Sequence, residues 1–106
     1  MAIQTCPSAI IQAPAERVWR FLARLSEWRR WADAKIVKGP DRPLAVGDAV
    51  VFRAGPGRLI EVCLKVVDVE PLRRLTLEVQ LPLGVVNHEV VVINPISDTA
   101  CRVTYN

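Results

Sequence analysis

The sequence has few of the residues that build disulfide, metal or redox sites. It contains three cysteines, Cys6, Cys63 and Cys101, and one histidine. The cysteines are far apart, odd in number and outside any C-x-x-C pattern, which argues against a disulfide framework and against a zinc knuckle. We expect reduced and mostly buried thiols, because free cysteine behaves as a small apolar residue. A lone histidine among scattered carboxylates predicts no metal ion and no cofactor.

Long apolar runs are also missing, although hydrophobic residues make up 51% of the chain. The apolar stretches are strand-like pieces, well short of the ~20 residues that cross a bilayer, so we expect no membrane insertion. The first residues contain no basic segment followed by an apolar one, as a secretory signal would, and this favours a cytoplasmic location. A chain of this length predicts a single domain, residues 1–106, with one core.

Lysine is scarce, since only three of the 14 basic residues are lysines and the rest are arginines. The net charge of +3 is modest, and we expect no nucleic-acid partner. Arg17, Arg20 and Arg24 share the polar side of a predicted helix, and Arg29 and Arg30 follow it. These arginines form either an ordinary solvated helix face or a patch for phosphate or another anion.

The helix pattern is clearest in the first third of the chain. Val18, Phe21, Leu22 and Leu25 fall at i, i+3, i+4 and i+7, which places four apolar side chains on one stripe of an α-helix. Pro14 suits the first helical position, because its fixed φ is helical and its missing N–H would have no partner there. The stripe requires an apolar surface to cover.

A second, shorter helix is predicted directly afterwards. Ser26 is typical of a helix stop and a new N-cap. Trp28 and Trp31 then stand three residues apart, on one face of a helical turn or two. Two large rings side by side need a cavity or a core.

Most of the remaining sequence predicts β-strands joined by short turns. Pro7 lies inside the first predicted strand and lacks a backbone donor, so that strand is expected at an edge or with a bulge. Leu75, Leu77, Val79 and Leu81 alternate with polar residues, which predicts one apolar and one solvated face. The predicted strands cover residues 3–12, 33–38, 49–54, 58–69, 75–81, 86–94 and 100–105, with a turn at 95–99.

This order predicts an α+β fold: a single curved antiparallel β-sheet, β-α-α-β-β-β-β-β-β, with two N-terminal helices packed on one side. If each strand turns one apolar face inward, the inner surface of the sheet is apolar. The helix stripe is too small to close all of it. Something else must cover the remainder.

Four segments, 11–19, 25–31, 44–48 and 98–105, resemble the START/Bet v 1-like (SRPBCC) superfamily, in particular its bacterial polyketide cyclase/dehydrase and lipid-transport branch. The resemblance spans nearly the whole chain and implies a helix-grip-like fold with a cavity between helices and sheet. Members include lipid and hormone carriers, aromatase/cyclases, oxygenase domains and Hsp90 co-chaperones, so the resemblance implies little about chemistry.

The sequence departs from this pattern at its end. Family members close the cavity with a long C-terminal helix after the last strand, whereas this sequence stops at Asn106. We expect either a natural or constructed truncation, or a partner chain that supplies the cover. An uncovered apolar face would favour a homodimer or aggregation.

Candidate catalytic residues are His88, Glu61, Arg53 and Tyr105. His88 could act as a general base if its pKa were near neutral, or it could be a structural or solvent-facing residue of its strand. Arg53 and Glu61 could orient a polar ligand group in the cavity, or form an exposed cross-strand ion pair. Alternation leaves open which face of its strand His88 occupies.

Candidate ligand-binding residues are Trp28, Trp31, Phe52, Tyr105 and Leu77, which could line a pocket for a flat apolar molecule or simply fill the core. The sequence therefore favours binding or transport of a hydrophobic small molecule, either a lipid or a polyketide-like compound. One alternative is a polyketide cyclase or dehydratase. Another is a protein-interaction module of the Hsp90-activator type that uses the arginine face.

Overall fold

The computed structural model describes residues 7–28 and 34–105 of the chain. Seven strands form one antiparallel sheet in the order β1-β7-β6-β5-β4-β3-β2, so the predicted α+β, helix-grip-like architecture is confirmed. The elements are β1 Ser8–Ile11, α1 Ala15–Ala23, α2 Leu25–Trp28, β2 Lys35–Lys38, β3 Ala49–Ala54, β4 Ile60–Glu70, β5 Arg74–Gln80, β6 Val86–Ser97 and β7 Ala100–Tyr105. Short 3₁₀ turns, Pro56–Arg58 and Pro82–Gly84, lie in the β3–β4 and β5–β6 connections.

The helices differ from the prediction at their ends. Pro14 is the N-cap and not the first helical residue, with an extended backbone whose carbonyl accepts from the N–H groups of Arg17 and Val18. Helix α1 ends at Ala23, because the Ala23 carbonyl accepts a hydrogen bond from the Leu44 N–H at 2.7 Å. Helix α2 therefore begins at Leu25, before the predicted cap.

Two consequences follow for the predicted helix positions. Ser26 is an exposed residue inside α2 and not an N-cap. Leu25 belongs to α2, yet it is buried in the core, as the stripe required. The chain leaves helical geometry at Arg24, whose φ of −117° and ψ of 121° are extended. The apolar stripe is therefore bent between two helices.

The sheet has two distinct faces because side chains alternate along each strand. The inner face carries Leu75, Leu77 and Val79 of β5, all buried, and the alternation predicted for this strand is confirmed. Buried residues of β3 and β4 continue this face, and α2 covers one part of it with Leu25 and Trp28. A second buried cluster, Val18, Ile93 and Cys101, joins α1 to β6 and β7.

Several strand ends were predicted inaccurately. β1 lies at an edge of the sheet, as Pro7 indicated, but its described part is only Ser8–Ile11. β4 begins at Ile60 because the tight Pro56–Arg58 turn occupies the residues before it. The turn predicted at 95–99 is present but shorter, since β6 continues to Ser97 and pairs with β7 up to Ala100. Only residues 98–99 connect these two strands.

The cysteine prediction is half right within the described residues. Cys101 is buried under α1, and its burial raises the pKa of the thiol. Cys63 is exposed, because it alternates with Val62 and Leu64, which face the core. Cys6 lies outside the described residues.

In the part of the chain that the structure describes, no helix has the length and apolar character needed to cross a membrane. β7 ends at Tyr105, and the described residues contain no helix after it.

Candidate functional site

An open cavity of about 440 Å³ lies between the inner face of the sheet and the two helices. This volume falls in the range of roughly 300–1,000 Å³ typical of small-molecule sites. Its described lining is apolar except for one carboxylate and one phenol, and consists of Leu22, Trp28, Ala34, Phe52, Val62, Leu64, Leu75, Leu77, Val79, Leu81, Glu89, Val91, Val103 and Tyr105.

The helix side of the cavity is held by Trp28. Its indole Nε1 donates a hydrogen bond to the Leu22 carbonyl at 2.9 Å, which links α2 to the last turns of α1. Its ring meets the Phe52 ring of β3 edge to face, with centroids 6.4 Å apart. Edge-to-face pairs are favourable because the positive ring edge faces the negative ring face. Trp28 and Phe52 therefore fix the helix against the sheet at the cavity wall.

The floor of the cavity follows from strand alternation. Leu77 on the central strand β5 is buried and lines the cavity. On β6 the same alternation turns Val91 inward, paired with Leu75 on one side and Tyr105 on the other. Val90, the preceding residue, is half-buried and does not line the cavity.

Glu89 and Tyr105 form the polar part of the site. Glu89 lies two residues before Val91 and therefore on the same face of β6, opposite Leu77. Partial burial of the phenol, and then the interaction with the Glu89 carboxylate and its negative charge, raise the pKa of Tyr105 to about 12. The phenol is thus a donor at neutral pH, and the carboxylate retains further acceptor positions.

The other three candidate catalytic residues lie outside the cavity. Arg53 and Glu61 are paired across β3 and β4, both are exposed, and their neighbours Phe52 and Val62 are the residues that line the cavity. His88 is exposed and lies opposite Glu78 on the outer face of the sheet. Strand alternation therefore separates these three side chains from the cavity.

Among the candidate ligand-binding residues, Trp28, Phe52, Leu77 and Tyr105 line the cavity together. Trp31 lies outside the described residues. Sequence reasoning missed Glu89 as a site residue. The sequence gives only a weak indication of it, because both faces of β6 carry valines and only the burial of Val91 and Ile93 in the structure identifies the inner face.

The arginines of α1 lie elsewhere. Arg17 and Arg20 are exposed on the outer side of α1, and Arg24, which directly follows the helix, is exposed as well. Arg20 and Arg24 line a shallow groove of about 210 Å³ beside Pro43, and Glu16 lines the same groove. Glu16 reduces the positive charge of this groove. Residues 29–30 lie outside the described part of the chain.

Solved structures share this fold. CalU16 from Micromonospora echinospora is 18% identical, with a TM-score of 0.69 over 92% of this chain and 56% of its own. Mll3558 from Rhizobium loti is 22% identical, with a TM-score of 0.71 over 95% of this chain and 74% of its own. DynU16, a protein of the dynemicin biosynthetic locus, is 17% identical, with a TM-score of 0.68 over 95% of this chain and 36% of its own.

At these identities the structural likeness shows the fold alone, and this chain spans only about half of CalU16 and a third of DynU16. A search of curated proteins finds no match. A sequence model of the family described as polyketide cyclase / dehydrase and lipid transport matches residues 7–106. This match covers nearly the whole chain, and the resemblance seen in the sequence is confirmed: the protein belongs to the polyketide cyclase / dehydrase and lipid transport family.

Proposed function

We propose that this chain binds a hydrophobic small molecule, a lipid or a polyketide-like compound, in the cavity between the helices and the sheet. The observation that carries the proposal is the cavity itself, about 440 Å³ with an almost wholly apolar lining. Removing apolar surface from water is favourable by roughly 25 cal/mol per Å². An apolar ligand that covers the cavity lining therefore gains binding free energy. The family description names lipids and polyketides, and DynU16 belongs to a biosynthetic locus.

The second candidate function is a cyclase or dehydratase. Glu89 and Tyr105 support it, because a carboxylate beside a phenol inside an apolar cavity can accept and return a proton. Binding is the better supported of the two, since the geometry leaves Arg53, Glu61 and His88 on the outer face. Turnover of a polyketide chain that is lost in Glu89→Gln and retained in His88→Ala would favour the enzyme.

The proposal is tested with a pair of adjacent valines that point to opposite faces of β6. Val91→Phe places a phenyl ring in the cavity, whereas Val90→Phe adds the same ring on the other side of the sheet. The ligand probe is N-phenyl-1-naphthylamine, a neutral dye whose fluorescence rises in apolar surroundings. We expect wild type and Val90→Phe to bind it equally, and Val91→Phe to bind it at least tenfold more weakly.

Adding a ring to a packed site costs about 1–3 kcal/mol of stability. Thermal unfolding therefore serves to check that both variants are folded. Equal dye affinity in all three proteins would contradict the proposal. Dye binding that weakens only in Val90→Phe would place the ligand on the outer face and also contradict it.

We also propose a homodimer that covers the open side of the cavity, as the sequence predicted. Apolar lining that remains accessible is the surface that would be buried in it, including Tyr105, which is 43% exposed. Sedimentation velocity is the test, and a stable monomer at micromolar concentration would overturn the dimer without affecting the ligand proposal.

A further inference from the structure

One side chain distinguishes this cavity from a simple apolar pocket. Glu89 lines it, and no lysine, arginine or histidine does so among residues 7–28 and 34–105. The other polar side chain of the described lining is that of Tyr105, whose pKa the Glu89 carboxylate helps to raise. Leu77 lies opposite Glu89 on β5, and Val91 follows on the same face. The acceptor oxygens therefore lie at an apolar wall with no cation from the described lining to neutralise them.

A carboxylate in an apolar cavity changes the affinity of a ligand according to the polar group that the ligand carries. A ligand that covers the wall removes water from Glu89, and a buried charge that loses water without a new hydrogen bond is costly. A ligand hydroxyl that donates to the carboxylate replaces the lost water, and hydrogen bonds to an ionised acceptor are roughly twice as strong as neutral ones. A ligand carboxylate would instead bring two like charges together where the effective dielectric constant is low.

We propose that the cavity selects apolar ligands that present a hydroxyl donor to Glu89 and that it rejects ligands ending in a carboxylate. The inference rests on the proposed function, because it assumes that the cavity is the binding site. It narrows the ligand class to apolar molecules that carry a hydroxyl group, and it excludes free fatty acids. A carboxylate has several acceptor positions, so an interaction with the Tyr105 hydroxyl leaves others for a ligand.

The test compares three probes with one ring system. 2-Naphthol offers a donor, 2-methoxynaphthalene offers only an acceptor, and 2-naphthoate carries a negative charge at pH 7.5. Isothermal titration calorimetry on the wild-type chain measures the three dissociation constants. We expect 2-naphthol to bind about tenfold more tightly than the methyl ether, and 2-naphthoate to bind most weakly, given the usual strength of a hydrogen bond to a charged group.

The variant Glu89→Gln removes the charge and keeps the shape of the side chain. We expect the preference for 2-naphthol over 2-naphthoate to fall by about tenfold or more, because the amide can donate to the naphthoate. Glu78→Gln is the matched control, since Glu78 is on the neighbouring strand and does not line the cavity. Its probe preference should equal that of the wild type.

The outcomes separate this inference from the proposed function. If all three probes bind with equal affinity, or 2-naphthoate binds best, the cavity binds apolar rings but the role of Glu89 is overturned. If Glu89→Gln keeps the wild-type preference, the inference is again overturned while the proposed function stands. If no probe binds the wild type, both fail. The wild-type series alone decides the matter should Glu89→Gln fail to fold.

Discussion

The Trp28 and Phe52 rings meet edge to face, with centroids 6.4 Å apart and ring planes at 75°. Trp28 is in α2 and Phe52 is in β3, so this contact joins the second helix to the sheet beside the cavity. The Trp28 indole also donates to the Leu22 carbonyl, which connects α1 to the same point. One ring pair therefore positions both helices over the inner face.

Replacing Phe52 with leucine should destabilise the fold by about 1–2 kcal/mol, because it removes the ring contact and part of the apolar surface that covers Trp28. The midpoint of urea unfolding measures the effect. Arg53→Gln is the control on the adjacent, exposed residue, and its effect should stay within about 0.5 kcal/mol. Equal midpoints for the two variants would show that the ring pair does not hold the helix.

Asp48 makes the stability of the folded chain depend on pH in the acidic range. Its carboxylate accepts two hydrogen bonds from Arg42, at 2.7 and 2.8 Å, and one from the Ala45 N–H at 2.7 Å. The Arg42 guanidinium, and then the Ala45 N–H, lower the pKa of Asp48 below its usual value. A lowered pKa in the folded state means that this contribution is present near neutral pH and is lost as the pH falls through that pKa.

Asp48→Asn should therefore be less stable than the wild type at pH 7, and the difference should shrink as the pH falls below about 4, the ordinary range of an Asp side chain. Urea midpoints between pH 7 and pH 2.5 measure it. Asp98→Asn, in the exposed turn between β6 and β7, serves as the control and should follow the wild type. A difference between wild type and Asp48→Asn that grows in acid would contradict this account.

Tyr105 is the only tyrosine in the chain, so its ionisation can be followed by ultraviolet absorbance without interference from another phenol. Burial and the Glu89 carboxylate raise its pKa to about 12. In Glu89→Gln we expect the pKa to fall but to stay above about 10, the ordinary value, because burial is the larger cause. Circular dichroism at each pH shows whether the chain is still folded. A phenol that titrates normally in the folded wild type would place Tyr105 away from Glu89.

Leu83 is fully exposed, with a φ of +69° in the connection between β5 and β6. A left-handed backbone is unfavourable for leucine, whereas Asn before Gly is the preferred pair for a tight hairpin turn, and Gly84 follows here. Leu83→Asn should raise stability by about 0.5–1 kcal/mol. Leu59→Asn is the control, because Leu59 is also exposed but has a φ of −90°. If both variants gain stability, the cause is the removal of an exposed leucine and not the conformation of the turn.

Much of the fold could be predicted because its signals are local. Leu75, Leu77 and Val79 alternate with polar residues, so the inner face of β5 could be predicted from the sequence. The end of α1 could not be predicted, because it depends on the hydrogen bond between the Ala23 carbonyl and Leu44, which is distant in sequence. The length of β6 also depends on its pairing with β7.

The site was predicted in part for the same reason. Aromatic rings such as Phe52 are conspicuous in a chain with few aromatics, and four of the candidate lining residues do line the cavity. The inner face of β6 could not be identified from its composition, because Val90 and Val91 are chemically alike. Pairing with β5 turns Glu89 inward and His88 outward.

The central claim is that an apolar ligand occupies the inner face of the sheet. Methyl NMR of the wild-type chain, titrated with N-phenyl-1-naphthylamine, tests it most directly because alternate residues report opposite faces. We expect saturable shifts and ligand contacts at the methyls of Leu77, Val79 and Val91, with the methyls of Val67 and Val90 unchanged. Shifts confined to Val67 and Val90, or no shifts at all at saturating dye, would contradict the claim.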